Sequence, residues 1–373
     1  MDYKRCWAAV DLAALSHNYH CIRRFLSPGC RYLAIVKADG YGHGAATVAG
    51  QLQKDGADWF GVATMEEALD LRRQGIYRPI LVLGYTDPAA APILASNTIT
   101  QTLFSEEYAL QLAAEAAKAG CVVDCHVKID TGMSRLGFDA ENENTVLMVE
   151  KLAQSGSLHI TGIFTHFAVA DEDTAVSMAF TERQFTLFMG VCNRLQADGV
   201  NVGLRHCCNS AGLLRFPNYA MDAVRVGSAI LGRLSFKGSY NLKRVGTLEA
   251  TVDELRWLPK GHTCGYGAGW RAKKPTRIAV FPVGWYNGFG CQMGNDLTRR
   301  KDSLRGIFSN LRHLIFGRKG YTVLLGGKRC RVLGHIGMLH TVVDVTNVNC
   351  KLGDKAIFDV NPLLLKGVDV IFQ

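Results

Sequence analysis

The residue most suited to chemistry in this sequence is Lys37, which closes the apolar run 32–36 and precedes the glycine-rich stretch 39–44. Lysine is almost never fully buried without a partner, and a desolvated lysine loses its proton readily. The neutral amine can form a Schiff base with a carbonyl group. Judged on residue type alone, Lys37 is better explained as a charged strand end in solvent than as an active-site amine. The surrounding elements must therefore decide its role.

The elements that position Lys37 alternate in type along the first part of the chain. Between residue 1 and about residue 235, short apolar runs alternate with longer helical patterns. From residue 32 onward, eight runs have the length of strands: 32–36, 59–63, 79–83, 99–103, 121–129, 157–165, 202–207 and 220–226. Strands separated by helices pair in parallel through right-handed crossovers. Eight of them predict a closed (β/α)8 TIM barrel, with an open doubly wound sheet as the alternative.

Polar residues cluster at the ends of these predicted strands. They are Lys37 after the first, Lys128 and Arg135 at the fifth, His166 at the sixth, Asn209 and Ser210 after the seventh, and Arg225, Gly227 and Ser228 at the eighth. Barrel active sites lie at the carboxyl ends of the strands, so this placement predicts one shared site. Small residues and hydroxyls after the last two strands suit a phosphate. Together with an imine-forming lysine, they predict pyridoxal 5'-phosphate as the cofactor.

Composition limits the class of protein. The chain has 373 residues, 48% hydrophobic and 20% charged, which suits two domains or one barrel with an extension. No apolar span approaches membrane length and no N-terminal signal segment is seen, so we expect a cytoplasmic protein. Twelve scattered cysteines without a CxxC pattern favour reduced core thiols over disulfides or a metal site.

The net charge of +9 is concentrated in one place. The segment 299–319 carries seven Lys or Arg residues against one Asp, within the insertion 289–320. No nucleic-acid-binding motif accompanies it, so we expect no nucleic-acid partner. Apolar residues at helical spacing predict a basic amphipathic helix there. This helix either packs on its domain with a solvated cationic face or meets a membrane surface or a partner.

A second domain is predicted after the barrel. We place the barrel at 12–235 and a β-rich domain at 236–373, because the later residues show strand-like alternation punctuated by Gly and Asp. The N-terminal strand within 1–11 is expected to join this β-rich domain.

Several motifs give the chain a resemblance to a known family. They are AIVKADGYGHGA, HVKIDTGMSRLGF, GIFTHFAVADE, HCCNSAG, VRVGSAILG and CGYGAGW, spanning positions 34 to 270, with a weaker GHIGM match near 340. In combination these resemble the alanine racemases, which are pyridoxal-phosphate enzymes with a barrel and a β domain. The resemblance implies a homodimeric amino-acid racemase with shared active sites, supplying a D-amino acid for cell-wall precursors.

The resemblance also implies roles for single residues. Lys37 would bind the cofactor and act on one face of the substrate, and Tyr266 from the partner subunit's β domain would act on the other. Tyr41 would contact the phosphate, and His166 and Arg225 would support Tyr266, with Arg225 also at the pyridine nitrogen. Arg135 and the backbone of Met338 would bind the substrate carboxylate. Lys128 is carbamylated in many relatives.

Departures from the family pattern lie after Tyr266. The chain reads Gly284-Trp285-Tyr286-Asn287-Gly288 where relatives usually read GYADG, and the usual pocket-narrowing tyrosine is missing near Asn361. A polar amide at Asn361 would favour a substrate hydroxyl, so we expect serine ahead of alanine. These departures, with the basic insertion, resemble the racemase domain of the membrane-bound serine racemases of vancomycin resistance, which implies proximity to a membrane.

Two other classes compete with a racemase. A non-catalytic pyridoxal-phosphate-binding barrel would need Lys37 but neither Tyr266 nor a β domain. A barrel-type amino-acid decarboxylase would place an acidic residue at the pyridine nitrogen, where this chain has Arg225. Both features favour the racemase.

Overall fold

The computed structural model describes residues 4–291 and 320–373. The chain divides into two compact units, Asp11–Val245 and Met1–Val10 with Gly246–Gln373. The predicted basic helix in 299–319 lies outside the described residues.

Residues 236–245 group with the first unit, whereas the sequence boundary assigned them to the β-rich domain. Asn18 explains this grouping, because its side chain donates to the carbonyl of Lys243 and accepts from the amide of Lys243, both at 2.7 Å.

The first unit is a barrel of eight parallel strands. Strand β1 (Cys6–Val10) belongs to the other unit. The barrel strands are β2 (Arg31–Ile35), β3 (Trp59–Val62), β4 (Ile80–Val82), β5 (Ile99–Leu103), β6 (Val123–Asp130), β8 (Leu158–Phe164), β9 (Leu204–His206) and β10 (Ala223–Val226). A short strand, β7 (Phe138–Asp139), pairs with β6. The order is β10-β2-β3-β4-β5-β6-β8-β9. Two backbone hydrogen bonds, Asp222 to Arg205 at 3.1 Å and Arg225 to Cys208 at 2.9 Å, nearly close the circle. The predicted TIM barrel is confirmed.

Helices connect the barrel strands. They are α1 (Leu12–Arg23), α3 (Ala45–Asp55), α4 (Met65–Arg73), α5 (Ala91–Ser96), α6 (Glu106–Lys118), α7 (Thr145–Ala153), α8 (Ala175–Ala197) and α9 (Ser210–Arg215). The segment α2 (Lys37–Gly42) is a turn with non-helical φ rather than a regular helix. Five of the helices are capped at the N-terminus by a polar side chain that accepts a hydrogen bond from a backbone N–H of the first turn. The capping residues are Asp11, Thr64, Ser105, Thr174 and Asn209. Most strand residues are buried because parallel strands are covered on both faces, and β5 and β6 include buried polar side chains.

The second unit is mainly β. Its strands are β1 (Cys6–Val10), β11 (Gly246–Thr251), β12 (Glu254–Leu258), β13 (Thr263–Cys264), β14 (Trp270–Arg271), β15 (Thr276–Phe281), β16 (Thr322–Leu325), β17 (Lys328–Arg331), β18 (Thr341–Asp344), β19 (Lys355–Phe358) and β20 (Asp369–Phe372). The largest sheet has the order β17-β16-β19-β11-β1-β20, so the N-terminal strand lies inside it. Phe281, Phe289 and Phe358 form the aromatic centre of this unit's core, with edge-to-face contacts. Among the described residues, every helix is too short or too polar to cross a bilayer.

Candidate active site

A cavity of about 450 Å³ opens at the carboxyl ends of the barrel strands. The side chains predicted from strand ends, together with Tyr41, all line it: Lys37, Tyr41, Lys128, Arg135, His166, Asn209, Ser210, Arg225, Gly227 and Ser228. Residues far apart in the sequence are therefore brought together around one space. Its volume is within the usual range of small-molecule sites.

The turn that follows Lys37 is left-handed. Ala38, Asp39, Gly40 and Tyr41 all have φ between 51° and 62°, although only one of them is glycine. Each non-glycine residue in this conformation costs about 1–2 kcal/mol. Such strain persists only where surrounding contacts enforce it. The turn directs Lys37 and Tyr41 toward the same cavity.

Hydrogen bonds hold the far end of this turn. The carboxylate of Asp39 accepts from the amide of Ala45 at 2.8 Å. His43 Nδ1 lies 3.0 Å from the carbonyl oxygens of both Gly40 and Tyr41. Because both partners only accept, Nδ1 must carry the proton. Burial lowers the pKa of His43, so its neutral form is favoured.

The cavity is rich in cationic groups. Burial and the neighbouring Arg135 lower the pKa of Lys37, while Glu67 raises it. Burial, Arg135 and Arg225 lower the pKa of Lys128 to about 8. Both amines therefore lose their protons at a lower pH than a solvated lysine, and the neutral amine is the nucleophilic form.

Arg225 is the centre of a buried hydrogen-bond network. It is only 3% exposed. Its Nη1 donates to Nδ1 of His206 at 2.8 Å, and its Nη2 donates to Nδ1 of His166 at 3.2 Å and to the carbonyl of Thr165 at 2.6 Å. Burial lowers the pKa of Arg225 to about 10, which leaves it charged at neutral pH. Nη2 thus links the floor of the cavity to His166 at its wall.

The network fixes the tautomers of its histidines. Arginine can only donate, so Nδ1 of His206 and of His166 must accept. The proton of His206 is then on Nε2, which donates to Nδ1 of His126 at 2.9 Å. Burial and the charge of Arg225 lower the pKa of all three histidines, in the case of His126 to about 3. The network therefore carries one positive charge, located on Arg225.

The loops after β9 and β10 form a small cradle beside Tyr41. Ser210 Oγ accepts from the amides of Gly227 at 3.0 Å and Ala229 at 3.4 Å. A Cβ at Gly227 would lie 2.4 Å from the hydroxyl of Tyr41. Glycine is needed here for space, although its φ is unremarkable. Burial raises the pKa of Tyr41 to about 12, so its hydroxyl stays protonated and can donate.

The other three predicted site residues lie in the β unit. Tyr266 begins a 3₁₀ turn, Tyr266–Ala268, and is 80% exposed. Met338 is 54% exposed, and its carbonyl accepts from the amide of Tyr286 at 3.1 Å. Asn361 caps the turn Pro362–Leu364, with Oδ1 accepting from the amide of Leu363 at 3.2 Å.

Three residues of this region escaped sequence analysis. His126 and His206 were included in strand-like runs, and Glu67 in a helix. The signal for His206 was its place at the end of the seventh strand run, beside the motif residue Asn209. His126 gave a weaker signal, a polar residue inside an apolar strand. Gly162 makes room for it, because a Cβ there would lie 2.5 Å from the His126 ring.

Fold and site together define a class of protein. A parallel barrel holds an amine of lowered pKa, a cradle of serine hydroxyls and small residues, and a buried arginine, and it is accompanied by a mainly-β domain. This combination fits a barrel enzyme that uses pyridoxal phosphate.

Comparison with known proteins identifies the family. Residues 10–235 match the family "Alanine racemase, N-terminal domain", and residues 245–361 match "Alanine racemase, C-terminal domain". The chain belongs to the alanine racemase family. The predictions of an amino-acid racemase and of pyridoxal 5'-phosphate as its cofactor are therefore confirmed.

Individual relatives agree with this assignment. An alanine racemase of Desulfovibrio desulfuricans is 36% identical over 95% of this chain and 89% of its own length. One from Desulforamulus reducens is 35% identical over 94% and 89%. The solved alanine racemase of Clostridium difficile 630 has a TM-score of 0.84 at 28% identity, covering 100% of this chain and 97% of its own. These relatives give no support to the narrower resemblance to serine racemases of vancomycin resistance, or to proximity to a membrane.

Proposed function

We propose that this protein interconverts L- and D-alanine with pyridoxal phosphate and supplies a D-amino acid for cell-wall precursors. The observation that carries the proposal is the convergence of Lys37, Arg135, His166 and Arg225 on one cavity in a chain of this family. Serine is proposed as a secondary substrate, which reverses the order expected from the sequence.

The cavity fits the cofactor. The absence of a side chain at Gly227 lets the Tyr41 hydroxyl approach the loop after β10, where a Cβ would collide with it. Tyr41, Ser210, Gly227 and Ser228 would hold the phosphate, with Asn209 positioning this loop through its bond to the amide of Gly212. Lys37 would hold the aldehyde carbon. When bound, pyridoxal phosphate withdraws electrons and acidifies the Cα–H bond of an attached amino acid.

Proton transfer is proposed to use two groups on opposite faces of the substrate. Lys37 would take or give the proton on one face and Tyr266 on the other, since racemisation requires both faces. Arg225 would lie at the pyridine nitrogen and donate a hydrogen bond there. Because it already donates to His166, it would also support Tyr266 through that histidine. Arg135 and the backbone of Met338 would bind the substrate carboxylate.

Lys128 is proposed to be carbamylated. With a pKa of about 8, part of its population is a neutral amine at physiological pH. That amine would form an N–C bond with carbon dioxide and release a proton, giving a negatively charged carbamate. The new charge would offset Arg135 and Arg225, whose positive charges both act on Lys128. It would thereby orient Arg135.

We further propose a homodimer with shared sites. Tyr266 is largely exposed, and it lies between Gly265 and Gly267, both with positive φ. An exposed tyrosine can act on the site of a second copy of the chain.

The preference for alanine is supported by the relatives, which are named alanine racemases. The side-chain oxygen of Asn361 accepts a capping hydrogen bond. An amide oxygen has two lone pairs, so a substrate hydroxyl would have to share this oxygen with the cap.

A substrate comparison tests this function. Purified protein with pyridoxal phosphate is given L-alanine or L-serine, and each D-isomer and any carbon dioxide are measured over time. We expect a higher kcat/KM for alanine and no carbon dioxide. A higher value for serine would restore the serine hypothesis. Carbon dioxide release would indicate a decarboxylase, and imine absorbance without either product would indicate a non-catalytic binding protein.

A further inference from the structure

Glu67 joins the loops that follow two neighbouring barrel strands. Its Oε1 accepts from the amide of Ala38 at 2.7 Å, and its Oε2 accepts from the amide of Ala63 at 2.7 Å. Ala38 directly follows Lys37, and Ala63 follows β3 and lines the cavity. A single carboxylate therefore ties the backbone that follows Lys37 to the backbone that follows β3.

This arrangement is more than an ordinary helix cap. Glu67 is the third residue of α4, and Thr64 Oγ1 accepts from its amide at 3.3 Å, as in a capping box. In that motif the glutamate returns to the amide of the capping residue itself. Here its oxygens bind Ala63 and, across the gap between strands, Ala38. The second bond adds nothing to α4 but holds the start of the left-handed turn.

The turn needs support at this end. Asp39 and His43 stabilise its far end, through Ala45 and the carbonyls of Gly40 and Tyr41. At the near end, the amide of Gly40 donates to the carbonyl of Val36 at 2.8 Å, and the carboxylate of Glu67 accepts a hydrogen bond from the amide of Ala38. Ionised acceptors form roughly twice as strong a bond as neutral ones.

Glu67 also opposes the charge around Lys37. Among the described residues, the other cations that line the cavity are Arg135 from the loop after β6, Lys128 on β6 and Arg225 on β10. Two further acids are nearby: Asp130 raises the pKa of Lys128, and Asp171 lines the cavity wall. Of the acids, Glu67 is the one whose charge acts on Lys37, where it counteracts burial and Arg135. Its position thus links the geometry of the turn to the ionisation of the amine.

We propose that Glu67 is the positioning residue for Lys37, fixing the backbone beside the lysine and balancing its charge so that the amine meets the cofactor aldehyde. The role of the cofactor rests on the proposed function.

The test uses this 373-residue chain, three variants at Glu66 and Glu67, and Arg135→Gln. Glu67→Gln removes the charge and one acceptor, and Glu67→Asp keeps the charge but is too short to reach both amides. Glu66→Gln is the matched control, because Glu66 is an exposed acid in the same first turn of α4. Two readouts are measured: amide hydrogen exchange across residues 36–44 without cofactor, and the rate of imine formation with pyridoxal phosphate against pH.

We expect the amide hydrogen of Ala38 to exchange at least about tenfold faster in E67Q and E67D than in the wild-type protein, since a charge-assisted hydrogen bond is lost or lengthened. The imine-formation profile of E67Q should move to lower pH. Removing a negative charge makes the ammonium form of Lys37 less stable, so the neutral amine appears at lower pH. E66Q should change neither readout. Arg135→Gln, which removes a positive charge, should move the profile to higher pH.

Three results would overturn the proposal. Unchanged exchange in both Glu67 variants would mean that the bridge does not hold the turn. Faster amide exchange in E67Q without a shift in its pH profile of imine formation would mean that Glu67 is only a structural cap. A pH profile of E67D displaced as far as that of E67Q would show that the charge of Glu67 does not cause the shift. Neither readout involves alanine, and exchange does not involve the cofactor. Failure of the proposed racemase activity would therefore be seen separately, in the wild-type protein.

Discussion

The barrel unit and the β unit present their candidate residues in opposite ways. In the barrel, Arg225 and Lys128 are 3% and 4% exposed and line the cavity, with Arg225 inside a network of buried histidines. In the β unit, Tyr266 and Met338 are 80% and 54% exposed. The groups suited to holding a cofactor are thus preorganised within one folding unit. The groups proposed to complete the reaction are displayed outward.

The largest expected effect would come from Lys37→Ala in the barrel. We expect the imine absorbance to disappear and alanine racemisation to fall by at least about 10³-fold, because the proposed covalent attachment and one acid–base group are both lost. Absorbance spectra and D-alanine formation measure this. Lys128→Ala is the control, expected to keep the imine absorbance. Persistence of that absorbance in Lys37→Ala would place the attachment on another lysine.

Tyr266→Phe tests the β-unit side of the comparison. Removing the phenolic oxygen should reduce racemisation by about 10²–10⁴-fold, the usual contribution of a general acid–base group. Because the barrel cavity is built without this residue, the imine absorbance and the cofactor Kd should not change. A variant that racemises alanine at the wild-type rate would remove Tyr266 from the two-base mechanism.

Gly227→Ala tests whether the cradle is as closely packed as its geometry indicates. The new Cβ would collide with the Tyr41 hydroxyl, so we expect cofactor affinity to fall about tenfold, as for a loss of one to two kcal/mol at a crowded site. Titration with pyridoxal phosphate gives the Kd. Gly190→Ala in α8 is the control, since its Cβ would meet no atom within 4 Å. Equal affinities for the two variants would contradict the cradle.

The smallest effect is expected at Asn361. Asn361→Tyr should raise the alanine-to-serine ratio of kcat/KM, by at most about tenfold, the scale of a small steric change in a pocket. Asn361→Asp keeps an oxygen able to cap the following turn and controls for loss of that cap. Competition between the two substrates measures the ratio. An identical ratio in Asn361→Tyr and wild type would remove this residue from the pocket.

The barrel could be predicted because its signals are local. The run 99–103 became β5 (Ile99–Leu103) without change, and the other seven predicted strands differ from the observed ones by a few residues at their ends. Apolar runs separated by amphipathic helices indicate a parallel sheet, and this pattern can be recognised without knowing which residues contact each other over long distances in the sequence. Residues at the carboxyl ends then share one side of the barrel by topology.

The left-handed turn could not be predicted in the same way. Gly40 and Asp39 are compatible with a left-handed turn, but Ala38 and Tyr41 have no local preference for positive φ. The conformation is imposed by partners such as Glu67, which is 29 positions from Ala38. The histidine network has the same origin, since His126 and His206 are 80 positions apart. Patterns within one window of sequence do not contain such contacts.

The placement of β1 has a consequence for how the molecule is made. In the β unit's largest sheet, β1 lies between β11 and β20, pairing antiparallel with the first and parallel with the second. Its partner at Asp369–Phe372 is synthesised about 20–70 s after β1 at 5–20 residues per second. The barrel can fold during that interval, while β1 keeps one edge unpaired. Completion of this sheet therefore waits for a strand that is distant in the sequence, and an aggregation-prone edge persists until that strand pairs.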